Sequence, residues 1–174
     1  MTATGRVDGC EHSFQELAAT VLPGLMAELR ERMQSPLSLG VFTARGHGVK
    51  SLLSDYGLTE DFPGCYVLIE RDRPVYVGIS RKVFSRLRQH VLADTHNSAT
   101  LAYRIAAART PHGMRRGDAM RDSTFRNAFS DAQGYLRGLQ AAYVRIDNPL
   151  VLHVFEAYAA LELGTAEWNT FETH

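Results

Sequence analysis

The chain has 174 residues, 45% of them hydrophobic, with 19 basic and 19 acidic side chains. That length and composition suit one domain, or one domain with an arm, and allow a real core. The two cysteines, Cys10 and Cys65, form no CxxC, which argues against a disulfide framework or a cysteine zinc site.

No stretch reaches the ~20 apolar residues of a membrane span, and no basic region precedes an apolar run at the N-terminus. A cytoplasmic protein with no membrane partner is the expectation. The neutral total hides a polarised distribution. From Arg81 to Arg126 there are ten Lys or Arg against three acids, and nine against sixteen elsewhere. Such a chain can present a basic face to a polyanion, although a solvated helical surface would look the same.

In chain order, residues 1–10 read as disordered. Ser13 to Gln34 reads as an amphipathic helix, with Ser13 and Glu16 as a capping box. Pro23 and Gly24 predict a kink there. Residues 35–63 read as irregular, with a short helix around Val49 to Tyr56. Cys65 to Glu70 and Val75 to Ile79 read as two strands joined at Arg71-Asp72-Arg73-Pro74, a hairpin. Arg81 to Leu92 and Ser98 to Ala108 read as helices, followed by a basic loop from Thr110 to Asp118. Ala119 to Leu139 reads as mostly helical, and Ala141 to Ile146 as a third strand. Asn148-Pro149 opens a final helix that Gly164 ends, with Trp168 to His174 as a tail. No internal repeat is present.

The hairpin carries the chemistry. Tyr66 and Tyr76 lie on its strands, and Gly78 follows Tyr76 by two. A glycine inside a strand often marks a place where another group comes close. Arg86 and His90 lie one turn apart on the next helix, which predicts that Tyr76, Arg86 and His90 share one surface while Val83, Leu87 and Val91 face the core. Taken singly, each has a plainer reading: packing tyrosines, a solvated arginine, a structural histidine. Glu156 sits on a helix rich in apolar residues, where a carboxylate needs a partner or a metal. A structural salt bridge and a ligand role are both open for it.

Together, Gly64-Cys65-Tyr66, nine residues, Tyr76-Val77-Gly78, then Arg86 and His90, with Glu156 and Asn169 later, resemble the GIY-YIG endonuclease superfamily. The resemblance runs from about Pro63 to His174. Cys65 stands where the family has an aliphatic residue, and the stretch between His90 and Glu156 is longer than in compact members. The resemblance implies an α/β fold of the α+β type: a small three-stranded antiparallel sheet flanked by helices. Here it would carry an N-terminal helical arm over 1–60 and a helical basic insertion over 93–140 within a nuclease domain over 61–174.

It implies metal-dependent hydrolysis of DNA phosphodiester bonds. Glu156 would hold Mg²⁺ or Mn²⁺, Arg86 would clamp a phosphate oxygen and Tyr76 would act as general base. Tyr66 would orient water, His90 would relay a proton or bind phosphate, and Asn169 would tether the glutamate helix. Gly64 and Gly78 would be structural. Arg81, Lys82, Arg88, Arg104, Arg109, Arg115, Arg116 and Arg121 are candidate backbone contacts to nucleic acid. DNA versus RNA stays open, and two cuts by one site per chain would call for a homodimer or two encounters. The absence of an obvious recognition domain favours restriction-like or stand-alone cleavage. The competing readings are an inactive nucleic-acid-binding module on the same fold and an interaction domain that docks through its N-terminal arm.

Overall fold

Two consecutive left-handed residues, Arg71 (φ 47°) and Asp72 (φ 66°), make up a two-residue connection. Such a pair forms the two-residue turn whose twist matches antiparallel strands. It joins β2, Gly64–Glu70, to β3, Arg73–Ser80. The connection is therefore shorter than the four residues expected, and Pro74 belongs to the strand. Proline is tolerated there because β3 is an edge strand. The register passes from Leu68 opposite Tyr76 to Ile69 opposite Pro74, so Val75 is the extra residue of a bulge beside Tyr76.

The computed structural model describes residues 6–171. Among them are seven helices and a four-stranded antiparallel sheet in the order β1-β4-β2-β3. The sheet thus has one strand more than expected. β1, Leu37–Ser38, adds beside β4, Gln140–Arg145, and is too short to show a pattern in sequence. The helices are α1 (14–32), α2 (Val49–Asp55), α3 (Val83–Leu92), α4 (Thr100–Arg109), α5 (Arg116–Ala119), α6 (Ser123–Arg137) and α7 (Pro149–Leu163). None is long and apolar enough to cross a membrane.

The chain divides into two compact units. The first takes the segment up to Leu37, Phe62–Val83 and the chain from Gln140 on. The second takes Ser38–Asp61 and Phe84–Leu139. The segment before the hairpin is therefore split between them.

In the first unit, α1 starts at a capping box in which Ser13 accepts from the Glu16 amide and Glu16 accepts from the Ser13 amide. The expected irregularity lies not at Pro23 but just before it, as a π-helical turn over Leu17–Val21. Proline lacks a donor and crowds the carbonyl four residues back, so the preceding turn widens. Residues 1–5 lie outside the described residues, as do 172–174 of the expected tail. Residues 7–9, expected to be disordered, form a 3₁₀ turn, and Cys10 is buried. One face of the sheet, with Cys65, Val67, Val77, Ala142 and Val144, packs on α1 and α7 through Leu22, Met26, Leu29, Leu152, Phe155 and Ala159. Asn148 caps α7 by accepting from the Val151 amide, and left-handed Gly164 (φ 65°) ends it.

In the second unit, α4 and α6 pack as a pair. Ala102, Ile105 and Ala106 of α4 and Phe125, Phe129 and Leu136 of α6 are buried. Asp61 caps α3 inside this unit: it accepts from the amides of Phe84 (3.0 Å) and Ser85 (2.9 Å) and from the Ser85 hydroxyl (2.7 Å). Asp122, whose sequence context suggests ordinary surface, caps α6 through the Phe125 amide.

Candidate functional site

The tyrosines of the hairpin face away from α7. Alternation along a strand puts Tyr66 opposite to Cys65 and Val67, and Tyr66 pairs with Gly78 on one side and Tyr143 on the other. Tyr66 is fully buried, whereas Tyr76 is half-buried. Their ring centroids are 6.2 Å apart at 52°. A β-carbon on Gly78 would stand 2.5 Å from the Tyr66 hydroxyl oxygen and 2.6 Å from its Cζ. The glycine is the space the Tyr66 ring occupies. Gly64 serves backbone packing instead, since a β-carbon there would strike the Val144 carbonyl oxygen of β4.

Asn169 closes the free edge of the same hairpin. The Val77 amide donates to Asn169 Oδ1 at 2.8 Å, and Asn169 Nδ2 donates to the Val77 carbonyl at 2.8 Å. One carboxamide thus stands in for a neighbouring strand and blocks an open ladder edge. We expect Asn169→Ala to lower stability by about 1–2 kcal/mol through the loss of two hydrogen bonds. Asn169→Asp is expected to lose as much, because a carboxylate cannot donate to the carbonyl. Faster hydrogen exchange at the Val77 amide in both variants is the check; unchanged protection would refute the tether.

Glu156 lies on α7, on the opposite side of the sheet from the tyrosine rings. It is half-buried, and among the described residues no cation stands within ion-pair distance of it. Burial pushes its carboxyl above the ordinary carboxylate range, partly offset by His153 one turn away. Cys65, on the sheet face under α7, feels both burial and the Glu156 charge, and its thiol is pushed well up. No group of three His, Cys, Asp or Glu converges among the described residues. Glu156 therefore offers a lone oxygen ligand. That suits Mg²⁺ or Mn²⁺, ions that keep several waters and take one or two carboxylates beside phosphate oxygens.

Arg86 and His90 belong to the second unit. The expectation that His90 shares an exposed surface does not hold: it is fully buried, on the same stripe of α3 as Phe84, Leu87 and Val91. Burial, then the charge of Arg86, lowers its pKa to about 3, so the ring is neutral at physiological pH. A depressed pKa means that the unfolded chain takes up the proton first. The stability it confers is complete above the unfolded value near 6.5 and is lost as pH falls toward 3. Between pH 6.5 and 5 the loss should be roughly 1–2 kcal/mol. Urea midpoints at those pH values, steep in the wild type and flattened in His90→Leu, are the expected outcome.

Arg86 is half-buried and held on three sides. Its Nη1 donates to the Ser98 carbonyl at 2.7 Å and to Gln89 Oε1 at 3.2 Å, and its Nη2 to Thr100 Oγ1 at 2.9 Å. Ser98 contributes its carbonyl to Arg86, and the capping position of α4 is Ala99, with no side-chain bond. Sequence reasoning misses Thr100 and Gln89 here. Gln89 at i+3 is a faint signal, but Thr100 looks like any helix-opening threonine.

The candidate phosphate contacts differ in readiness. Arg81, Lys82, Arg88 and Arg115 are exposed. Arg109 stacks on Tyr135 at 4.9 Å and Arg116 on Tyr103 at 5.6 Å. Arg121 pairs with Asp118 at 3.2 Å, and Arg104 is half-buried. Compared with family models, curated proteins and solved structures, the chain matches none.

Proposed function

We propose that the protein is a metal-dependent endonuclease that hydrolyses DNA phosphodiester bonds in the manner of the GIY-YIG superfamily. The observation that carries the reading is Glu156, a half-buried carboxylate with no cation within ion-pair distance among the described residues, on a chain that also holds the full tyrosine-hairpin pattern. A carboxylate kept partly out of water with no ion pair is a poor structural device and a good cation site. A bound divalent ion would supply charge neutralisation at the scissile phosphate.

In this reading Glu156 holds the cation. The resemblance assigns the proton of the attacking water to Tyr76, the more accessible tyrosine, although its ring and Glu156 lie on opposite sides of the sheet. A free phenol near pKa 10 is a weak base at neutral pH, so this role depends on positive charge close by in the loaded state. Tyr66 fixes the orientation of Tyr76 across Gly78. Arg86 offers its planar fork to a non-bridging oxygen, where negative charge grows. His90, neutral and buried, supports the Arg86 helix and needs no proton transfer of its own. Asn169 keeps β3 in place at its open edge.

The direct test is nicking of supercoiled plasmid with Mg²⁺, with and without EDTA. Cleavage that is abolished by EDTA and reduced in Arg86→Ala is expected. Intact DNA binding without any cleavage of DNA or RNA would favour an inactive binding module on this fold.

Exposed Arg88 and Arg115 are proposed to bind phosphates. Removing either guanidinium from a phosphate should reduce the slope of log affinity against log salt by about 0.9. Fluorescence titrations at several salt concentrations read this out, and a slope unaltered in the double alanine variant would remove these residues from the interface.

A further inference from the structure

We propose that Thr100 is a positioning residue: with the Ser98 carbonyl it holds the Arg86 guanidinium so that its Nε–H edge is reserved for a phosphodiester oxygen. The proposal deepens the nuclease reading and rests on it. Arginine carries five N–H donors in one plane. Both Nη1 hydrogens are used, by the Ser98 carbonyl and Gln89 Oε1, and one Nη2 hydrogen by Thr100 Oγ1. Nε–H and one Nη2–H remain, and they form a side-on fork where Thr100 takes the Nη2 hydrogen on the Nη1 side. No described residue bonds this pair. Two parallel donors on a fixed plane match a tetrahedral oxyanion better than a mobile side chain would.

The three acceptors come from separate places: Gln89 on α3, Ser98 in the connection and Thr100 at the start of α4. A guanidinium tied to α3, the connection and α4 cannot swing with its own helix alone. Preorganisation of this kind acts on the transition state, and misplacement of a reacting group by about 1 Å can cost a hundredfold in rate. Thr100 is the informative partner because its hydroxyl can be removed at nearly constant volume, whereas Ser98 acts through its backbone.

The test compares wild type, Thr100→Val and Thr100→Ser in single-turnover plasmid nicking with Mg²⁺, with thermal melting as a fold control. Isotope-labelled protein adds a readout independent of cleavage, the rotation of the Arg86 guanidinium about Nε–Cζ seen by NMR. Thr100→Val should melt close to wild type and lower the cleavage rate constant at least about tenfold. The DNA concentration for half-maximal rate should stay within about twofold, because ground-state binding is not what Thr100 supports. Thr100→Ser should recover most of the rate, and guanidinium rotation should quicken only in the valine variant. A wild-type rate in Thr100→Val, or an equal loss in Thr100→Ser, would overturn the role. If the wild type cleaves nothing, the nuclease reading fails by itself. Rotation slowed by Thr100 would then uphold the positioning, and rotation indifferent to Thr100→Val would overturn it.

Discussion

Glu156→Gln is expected to abolish Mg²⁺-dependent nicking, on the order of a hundred- to a thousandfold, while leaving the protein at least as heat-stable as the wild type. The rate loss follows from removing the cation's ligand, which is worth several kcal/mol of charge stabilisation when phosphate is attacked. The stability side follows from the sign of the titration. Burial holds the Glu156 carboxyl above the ordinary carboxylate range, against a smaller opposing pull from His153. A raised pKa means that the folded protein binds this proton more tightly than the unfolded chain. The stabilisation is present below the unfolded value and is lost as pH rises through the folded one. Above the folded value the ionised carboxylate is therefore a burden on the fold, and glutamine removes it.

A structural ion pair would behave the other way, since removing one partner strands the other. Two melting curves separate the cases. Mg²⁺ should raise the midpoint of the wild type and leave Glu156→Gln where it is, since a ligand stabilises only the state that binds it. Retained EDTA-sensitive nicking in Glu156→Gln would sink the assignment. A lower midpoint of that variant in EDTA would restore the salt-bridge reading.

The elements most legible in sequence are those whose partners lie close along the chain. The hairpin and α7 carry β-branched runs, turn residues and a helix cap within a few positions of one another. What stays hidden depends on distance. Asn169 meets Val77 across 92 residues, and no local pattern announces a carboxamide that completes a strand edge. β1 is two residues long and exists through its neighbour β4. His90 misleads for a different reason. Spacing groups it with Arg86 at i+4, yet it is also i+3 from Leu87, on the buried stripe of α3. Spacing alone does not say which neighbour determines its surroundings. The lone carboxylate is readable as an anomaly from its apolar helix, but the sheet side it occupies is not.

That separation of faces makes Gly78 the sharpest probe of the tyrosine side. Gly78→Ala adds one methyl group to a place where the Tyr66 ring already lies, with the Tyr76 Cε1 at 2.9 Å as a third obstacle. In an ordinary strand the same change would gain roughly 0.5–1 kcal/mol, because glycine is entropically unfavourable there. Here the ring cannot retreat freely, being fully buried, so overpacking dominates and a net loss of about 1–3 kcal/mol is expected. For a domain of this size that is a fall of roughly 2–12 °C in the melting temperature. Relief by the partner distinguishes this from a general fault of the strand. In a Tyr66→Leu background, which is itself less stable, the alanine should cost little or become favourable, the coupling expected of residues in contact. Activity should follow the ring rather than the fold. Gly78→Ala is expected to lose cleavage even at temperatures where it is fully folded, since displacing Tyr66 displaces Tyr76 with it. A folded Gly78→Ala that nicks plasmid at the wild-type rate would show that the tyrosine pair takes no part in the reaction.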